Sequence, residues 1–381
     1  RNTIVWHNYP DAGIGGTPYP NNIEGQSNTL NTDPLFVDMN TGDYRLSNYS
    51  PCIGTGILEG APDTDLDGDP RPQPVDTNPD MGAYENALGE RLVGATYYVA
   101  SVGSDSSNGQ LDTPFRTIQQ GINAAWNGDT VIVYPGTYAG NVDYGNKSLV
   151  LSSRILESGD TTYVDSTIIE GTVTINDDVD STALFTGFTI TGDYTGRGLS
   201  VASDHNVLIE HIKVIGVGGV EVINAVATMH DVVIKNNVLN GDGGGMRIHT
   251  SILDLVNVVI DSNTTTGGYP GGGVSIYYDC TVTMDSVQII GNYSNKGGGI
   301  HSDENNTLHI SNSSVIGNHS EGDGGGIINW SGTLELTNVH VDSNTANGNG
   351  GGLFNSNGEY IATASTFNWN TSLSGGGGIY S

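Results

Sequence analysis

The sequence predicts an all-β fold, a parallel β-helix in which each coil of the solenoid takes about 26 residues. Two observations indicate this fold: runs of glycine and single asparagines both recur with nearly that period. A third is that short stretches of alternating apolar and polar residues, typical of half-buried strands, lie between them. Helical solenoids have similar periods, but they need apolar residues at every third or fourth position, and repeated glycines would break their helices.

Each glycine triplet is followed by an apolar residue that opens a strand. From Met246 to Ile379 these apolar residues are separated by 28, 26, 27, 26 and 26 residues. Glycine adopts left-handed backbone and lets neighbouring backbones approach closely, so we expect a tight corner at each triplet. The predicted turn residues are the middle glycines Gly244, Gly272, Gly298, Gly325 and Gly351.

A column of asparagines forms the second repeat, with spacings of 26, 29, 26, 26 and 26 residues. We expect each asparagine to occupy a left-handed corner and to hydrogen-bond its equivalents in the coils above and below. Packing of this kind explains the column better than catalysis does. Its members are Asn237, Asn263, Asn292, Asn318, Asn344 and Asn370.

Two short strands precede each asparagine. Small or apolar residues stand ten, eight, five and three positions before it, which indicates two strands of period two that are separated by a bend. With the strand that follows the glycines, we expect three strands per coil. Weaker coils fit the pattern further upstream, with Val217 and Asp193 in place of the asparagine, so the solenoid begins near residue 130.

Residues 91–138 have the pattern of a cap, and residues 139–381 form the coils. The cap consists of the strand TYYVAS, a polar turn, a short amphipathic helix with Ile118, Ile122 and Ala125 on one face, and the strand DTVIVYPGTY. This segment resembles the N-terminal part of pectate-lyase-like β-helix proteins, and the resemblance implies a right-handed solenoid whose first coil the helix covers. The glycine-rich coils resemble the repeats of polymorphic outer-membrane and related bacterial surface proteins.

Residues 1–90 resemble the closing segment that follows a β-helix with a choice-of-anchor type C-terminus. The matching stretches are NTIVWHN, DPLFVD, GDYRLSNYSPCIGTG, DTDLDGDPRP and DMGAYE. The closing segment of one helix thus precedes the opening cap of another. A tandem copy would place Asn8 one period after Asn370 if about seven residues joined Ser381 to Arg1. A tandem array and a piece cut from a longer protein are equally compatible with this order.

The composition limits the kinds of partner that the protein can bind. The formal net charge is −30, with 42 acidic and 12 basic residues, so phosphate backbones and anionic membranes are repelled. No apolar run is long enough for a membrane-spanning helix. We therefore expect a secreted or cell-surface protein. Cys52 and Cys280 fall in different modules, and we expect two buried thiols without a disulfide framework.

A calcium site is the best metal candidate. Asp63, Asp65, Asp67 and Asp69 around Gly68 begin like a D-x-D-x-D-G calcium loop. The sequence departs from that loop at Pro74, where a bidentate glutamate is expected, so Asp76, Asp80 or Glu85 would have to complete the shell. An exposed acidic turn is the alternative interpretation.

Catalytic residues are not evident. A polysaccharide lyase would need a base such as Lys213, near Glu210 and Glu221, or Arg247, near His249. Neither basic residue is surrounded by clustered carboxylates in the sequence, so we interpret both as isolated and solvent-exposed. The hydrolase motifs Asn-Thr-Asp (31–33) and Asp-Asp (177–178) stand alone, which disfavours a hydrolase.

We expect a structural or adhesive extracellular element that joins copies of itself, or flanking segments of its chain, head to tail through strand pairing. A calcium-dependent polysaccharide lyase and a non-catalytic carbohydrate-binding module are the competing interpretations. Sugar rings could stack on outward aromatic residues, although filling of the core explains these residues better. They are Tyr277, Tyr278, Trp330, Phe354, Trp369 and Tyr380.

Overall fold

The computed structural model describes residues 34–38, 41–176, 179–192 and 196–381, and it gives the backbone of Thr3–Ile4 and Thr29–Leu30. Four sequence predictions lie outside the described residues: Asn8, the motifs at 31–33 and 177–178, and Asp193. Contacts divide the chain into two compact units, residues 1–132 and 133–381. Each unit is described by itself.

The first unit contains little regular structure. Thr3–Ile4 pairs in parallel with Thr29–Leu30, and Phe36–Asp38 pairs antiparallel with Asp43–Leu46. Strands Thr96–Val99 and Thr130–Val133 flank helix α1, Ile118–Ala124. A small core gathers Leu46, Cys52, Ile53 and Met81. Cys52, like Cys280 in the second unit, is a buried free thiol, as the sequence predicted.

Helix α1 has the amphipathic face that the sequence predicts. Ile118 and Ile122 are buried, and the hydroxyl of Thr117 caps the helix by accepting the Gln120 N–H at 3.2 Å. The turn that follows is fixed by Asp129, whose buried carboxylate accepts the backbone N–H groups of Gly94, Ala95 and Trp126. The Asn-Gly-Asp-Thr-Val sequence after the helix therefore has a structural reason.

The second unit is a stack of parallel coils, which confirms the predicted β-helix. We name its four ladders of strands A, B, C and D in the order in which one coil passes through them. The A ladder contains Val142–Asp143, Val173–Ile175, Leu199–Val201, Val220–Ile223, Met246–His249, Val274–Tyr277, the first parts of Ile300–Ser311 and Ile327–Thr337, Leu353–Asn355 and Ile379–Tyr380.

The B and C ladders follow in the same coils. The B ladder contains Val150–Ser153, the first parts of Leu184–Thr191 and Val207–Ile215, Val226–His230, Ile252–Val256, Thr281–Asp285, the second parts of Ile300–Ser311 and Ile327–Thr337, and Glu359–Thr363. The C ladder contains Gly136–Ala139, Thr167–Glu170, the second parts of Leu184–Thr191 and Val207–Ile215, Val233–Lys235, Val259–Asp261, Gln288–Ile290, Ser314–Ile316 and His340–Asp342.

The D ladder is a fourth strand that the sequence analysis missed. It contains Val238–Leu239, Thr264–Thr265, Tyr293–Ser294, His319–Ser320, Thr345–Ala346 and Thr371–Ser372. Each strand has only two residues, which is too short to show an alternating pattern. The prediction of three strands per coil was therefore wrong by one short strand in the coils from Val238 onward.

The corners between ladders A and B, B and C, and C and D are turned mainly by single residues with positive φ. At the last corner this residue immediately precedes the asparagine column, as in Ser262 before Asn263 and Ser343 before Asn344, both with φ near 56°. The prediction that the asparagines themselves are left-handed was wrong. The preceding residue makes the turn, and this directs the asparagine side chain into the interior.

The asparagine column is a continuous hydrogen-bonded ladder. Asn292 donates through Nδ2 to Oδ1 of Asn318 at 2.9 Å and to the carbonyl of Ile260 at 3.0 Å. Its backbone N–H donates to the same Oδ1 at 2.9 Å. Asn318 repeats this pattern toward Asn344. Every amide hydrogen inside the ladder is used, so these buried polar groups carry little desolvation penalty.

The three glycines of a triplet serve different purposes. In the triplet 324–326, Gly324 makes the turn with φ of 64°. A Cβ on Gly325 would lie 2.5 Å from the Gly351 carbonyl oxygen, and one on Gly326 would lie 2.6 Å from that of Gly352 and 3.0 Å from Asn344 Nδ2. The first glycine thus turns the chain, whereas the other two let adjacent coils approach.

Candidate functional site

A cluster of charged side chains lies on the A ladder beside the glycine loops. Arg197 and Arg247 share the carboxylate of Glu221: Arg197 Nε lies 3.7 Å from Glu221 Oε1, and Arg247 Nη1 lies 3.1 Å from it. Glu221 and Arg247 are register partners on adjacent coils, whereas Arg197 reaches them from the turn before its own strand. The interpretation of Arg247 as an isolated basic residue was therefore wrong.

Arg197 is the most deeply placed of these cations. Its guanidinium donates to the carbonyl oxygens of Gly218 at 2.9 Å, Gly243 at 2.6 Å and Asp242 at 2.5 Å. Burial lowers the pKa of Arg197 to about 10, against the opposing charge of Glu221 and with a further contribution from Arg247. Arg197 therefore fixes the loop that carries Asp242 relative to Glu221.

Tyr277 and His301 continue this surface along the next coils. The outward row of the A ladder passes from Arg247 to Ser275 and on to His301. Burial lowers the pKa of His301 to about 4, so the ring is neutral at pH 7. Burial, together with the charge of Asp242, raises the pKa of Tyr277 well above its usual range.

Two buried nitrogens at this surface have no hydrogen-bond partner within the described residues: His301 Nδ1 and Arg247 Nε. Unpaired buried polar atoms are rare in proteins, and those at a surface cluster are often completed by a bound molecule or water. His301 is only 7% exposed. The strongly shifted pKa values of Arg197, Tyr277 and His301 also coincide here, and such clustering is typical of functional sites.

Aromatic rings surround the charged groups. The Tyr277 ring lies 6.1 Å from that of Tyr278 and 5.8 Å from that of His301, and the His249 ring lies 5.0 Å from Tyr278. Tyr278 is 55% exposed and offers the most accessible ring face of this group. We call the whole set the A-ladder patch. Its members are Arg197, Glu221, Asp242, Arg247, His249, Tyr277, Tyr278, Lys296, His301 and Trp330.

Further along the A ladder the aromatic residues stack on one another. Lys296 Nζ lies 5.7 Å from the Trp330 ring centroid, Trp330 lies 6.1 Å from Phe354, and Phe354 lies 5.5 Å from Tyr380 with nearly parallel planes. Because the rings stack along the coils, Phe354 has both neighbours against it and is only 8% exposed. Of the six aromatic residues that the sequence singled out, Trp369 lies apart from this row, in the last coil.

Lys213 lies in a separate cleft at the corner between ladders B and C. The cleft has a volume of about 270 Å³ and is bounded by the Lys213–Asp165 ion pair and by His211 and Asp231. His211 Nδ1 lies 3.7 Å from Asp231 Oδ2, and His230 Nδ1 lies 2.8 Å from it. Lys213 therefore pairs with Asp165, and not with either of the carboxylates, Glu210 and Glu221, that sequence proximity suggested.

The residues of the predicted calcium loop do not assemble a site. Asp63, Asp67 and Asp69 are exposed, and among the described residues no three His, Cys, Asp or Glu side chains are grouped to hold a metal ion. Asp65 accepts the N–H groups of Asp67 at 2.9 Å and Asp69 at 2.8 Å. Burial opposes its ionisation, but these and other backbone donors outweigh burial and lower the pKa of Asp65. The geometry is that of an internally bonded acidic turn, and it does not fit calcium.

The sequence could have drawn attention to part of the A-ladder patch. Asp242 and Lys296 each stand immediately before a glycine triplet, and Arg197 lies between Gly196 and Gly198 in the corresponding loop of an earlier coil, so these positions were visible in the repeat. His301 and Glu221 gave no signal, because only the register of the coils brings them to the same surface. The described residues also contain no helix long and apolar enough to cross a membrane.

Comparison with known proteins adds little to this geometry. No protein-family model matches the chain, and no curated protein sequence matches it. The crystal structure of pectate lyase Pel9A superimposes with a TM-score of 0.45 at 13% identity, covering 74% of this chain and 80% of that one. A rhamnogalacturonan lyase gives a TM-score of 0.23 at 13% identity, covering 72% and 87%. Similarities this low carry no argument about activity, and the fold assignment rests on the strand pairing described above.

Proposed function

We propose that the protein is an extracellular adhesive β-helix that binds a hydroxyl-rich polysaccharide through the A-ladder patch. The observation that carries this proposal is the coincidence, on one face, of an exposed aromatic ring at Tyr278, shared ion pairs at Glu221, and two buried nitrogens without partners. An aromatic face beside polar groups suits a sugar, because one side of a sugar ring is apolar and its edge carries hydroxyl groups.

The charge balance favours a neutral glycan. Three cations, Arg197, Arg247 and Lys296, stand near the three carboxylates of Glu221, Asp242 and Asp303. The net charge of the whole chain, −30, would repel a polyanion. The ladder spacing of about 4.8 Å also offers one set of contacts per coil to a linear chain that follows the axis.

Binding without turnover fits the patch better than elimination by a lyase. A general base works best when its pKa lies near the working pH. The pKa of His301 is lowered to about 4, whereas that of Tyr277 is raised, so neither group is suited to accept and return a proton near neutrality. Of the two bases that the sequence suggested, Lys213 is paired with Asp165 and Arg247 with Glu221.

The test is saturable binding of neutral polysaccharides, measured by calorimetry on the whole chain with soluble glucans, mannans, galactans and xylans as probes. Tyr278→Ala and Arg247→Ala should each weaken the binding by about tenfold. Tyr293→Ala is the matched control, because Tyr293 is 39% exposed on the D ladder and stacks on His319. Binding that is equally weakened by all three variants, or absent with every probe, would contradict the proposal.

A lyase assay distinguishes adhesion from the competing function, which is polysaccharide cleavage. Release of unsaturated uronide from pectate, with loss of that activity in Lys213→Ala or Arg247→Ala, would replace adhesion by catalysis. Binding without product supports the adhesive function.

The head-to-tail joining of copies of the chain is a separate proposal. It is supported by the order of segments in the sequence, in which a closing segment precedes an opening cap. Electron microscopy of native material tests it. Filaments with a regular axial period would support it, and single rods would contradict it.

A further inference from the structure

Four residues of the asparagine ladder belong to sequences of the N-glycosylation type, Asn-x-Ser/Thr. The hydroxyl residue two positions after each asparagine lies on the D ladder. The four sequences are Asn263-Thr264-Thr265, Asn292-Tyr293-Ser294, Asn318-His319-Ser320 and Asn370-Thr371-Ser372. We call them the corner sequons. Such a sequence ordinarily marks an exposed loop that can accept a glycan.

The amide that a glycan would modify is inaccessible in three of the four corner sequons, whereas Asn370 in the last coil is half-buried. Asn263, Asn292 and Asn318 are at most 1% exposed, and both hydrogens of each Nδ2 are donated within the ladder. The glycine loop closes the remaining space, since even a Cβ on Gly299 would lie 3.1 Å from Asn318 Nδ2. A sugar on this nitrogen would remove a ladder hydrogen bond and displace the adjacent coil.

The hydroxyl group of the corner sequon has a structural purpose of its own. Thr265 Oγ1 donates to the carbonyl of Tyr269 at 2.8 Å, and Ser294 Oγ donates to that of Lys296 at 2.8 Å. Ser320 Oγ donates to the carbonyl of Asp323 at 2.8 Å. Each hydroxyl thereby ties the D ladder to the start of a glycine loop, which is a local reason for Ser or Thr at this spacing.

Two coils lack the hydroxyl and keep the corner. Asn237 is followed two positions later by Leu239, and Asn344 by Ala346. Both asparagines make the same ladder contacts as the others. The ladder therefore requires the asparagine but tolerates the loss of the sequon.

We infer that the corner sequons are a folding motif that excludes N-glycosylation, so that these coils form only where no glycan is added to the unfolded chain. This inference does not rest on the proposed adhesive function. It concerns the route of synthesis: an extracellular protein of this sequence must fold before, or apart from, any transferase that modifies Asn-x-Ser/Thr.

The test compares the whole chain made with and without such a transferase. Made through a eukaryotic secretory pathway, it should carry glycans at Asn292 or Asn318 by glycopeptide mass spectrometry and should lose the protease resistance of the coils. Inhibition of the transferase in the same cells should restore the resistance. A variant with Thr265→Ala, Ser294→Ala, Ser320→Ala and Ser372→Ala keeps every ladder asparagine. With Ser331→Ala added, it also lacks the sequon of the buried Asn329, and it should fold in both settings.

The matched control removes two sequons outside the ladder. Thr307→Ala with Ser314→Ala abolishes those of Asn305 and Asn312, whose side chains are exposed. This variant should behave like the unaltered chain, unfolded when glycosylated and folded otherwise. Glycans at Asn292 or Asn318 within a protease-resistant product would overturn the inference. Failure of transferase inhibition to restore the protease resistance would also overturn it.

Discussion

The coils from Asn237 onward differ from those between residues 139 and 217 in how they fill the same interior. The later coils use asparagine ladders, glycine loops and small aliphatic residues. The described residues of the earlier coils form no D strand and pack large rings instead, with the Tyr144 ring centroid 6.4 Å from that of Phe185 and the Phe185 centroid 5.1 Å from that of Phe188. The earlier coils also carry helices α2 (Ile155–Ser158) and α3 (Tyr163–Ser166) at one corner.

This difference shows why the sequence repeats regularly in the later coils and varies in the earlier ones. In the later coils each polar group depends on the same residue one coil away, so a column must be kept whole. In the earlier coils apolar side chains pack without direction, and a substitution can be absorbed by its neighbours. Sequence regularity in the later coils is therefore enforced by hydrogen bonding, whereas the earlier coils are free to vary.

The largest expected effect is that of a methyl group in a glycine loop. Gly326→Ala would place a Cβ 2.6 Å from the Gly352 oxygen and 3.0 Å from Asn344 Nδ2, so two coils must separate. We expect a loss of about 4 kcal/mol or more in the free energy of unfolding, from overpacking and a broken ladder contact. Urea denaturation measures it. A loss below 1 kcal/mol would show that adjacent coils are not held at this distance.

The second prediction compares one substitution in the later coils with one in the earlier coils. Asn318→Val leaves the buried backbone N–H of Asn292 and one hydrogen of its Nδ2 without partners, and should cost about 3 kcal/mol. Phe188→Leu in the earlier coils should cost only about 1 kcal/mol, because it exchanges one apolar side chain for another. Both values come from the same denaturant titration. Equal costs would contradict the distinction between the regions.

A smaller effect comes from the buried histidine of the A-ladder patch. The folded pKa of His301, about 4, lies below its ordinary value near 6.5, so between these values the unfolded chain binds more protons. The stabilising effect is therefore complete above pH 6.5 and is lost as the pH falls toward 4, by about 2 to 3 kcal/mol. Thermal unfolding from pH 7.5 to 4.5 measures it.

The control for this pH dependence is a more exposed histidine, His309, on the B ladder of the same coil. His301→Gln should flatten the stability profile between pH 6.5 and 4.5, whereas His309→Gln, at a side chain 44% exposed, should leave most of the slope in place. An unchanged slope in His301→Gln would assign the effect to other groups.

The sequence predicts the regular later coils better than it predicts the A-ladder patch or the earlier coils. The glycine and asparagine columns could be predicted because each coil must repeat them. Apolar residues such as Leu253 and Leu334, which are buried, indicated the strands between them. The A-ladder patch could not be predicted as a cluster, because Arg197 donates a hydrogen bond to the Gly243 carbonyl 46 residues away and no local sequence pattern encodes that contact. Helices α2 and α3 were missed because they are short insertions into a single corner.

The smallest expected effect is at a glycine of the later coils that is free of close contacts. Gly317 turns the corner before Asn318 with φ of 66°, and a Cβ there would meet nothing within 4 Å. Equivalent corners hold Asn236, Ser262 and Ser343, and asparagine tolerates left-handed backbone. Gly317→Asn should therefore change the free energy of unfolding by less than about 0.5 kcal/mol. A loss above 1 kcal/mol would mean that this corner, like the loop of Gly326, is limited by contact between coils and not by backbone conformation alone.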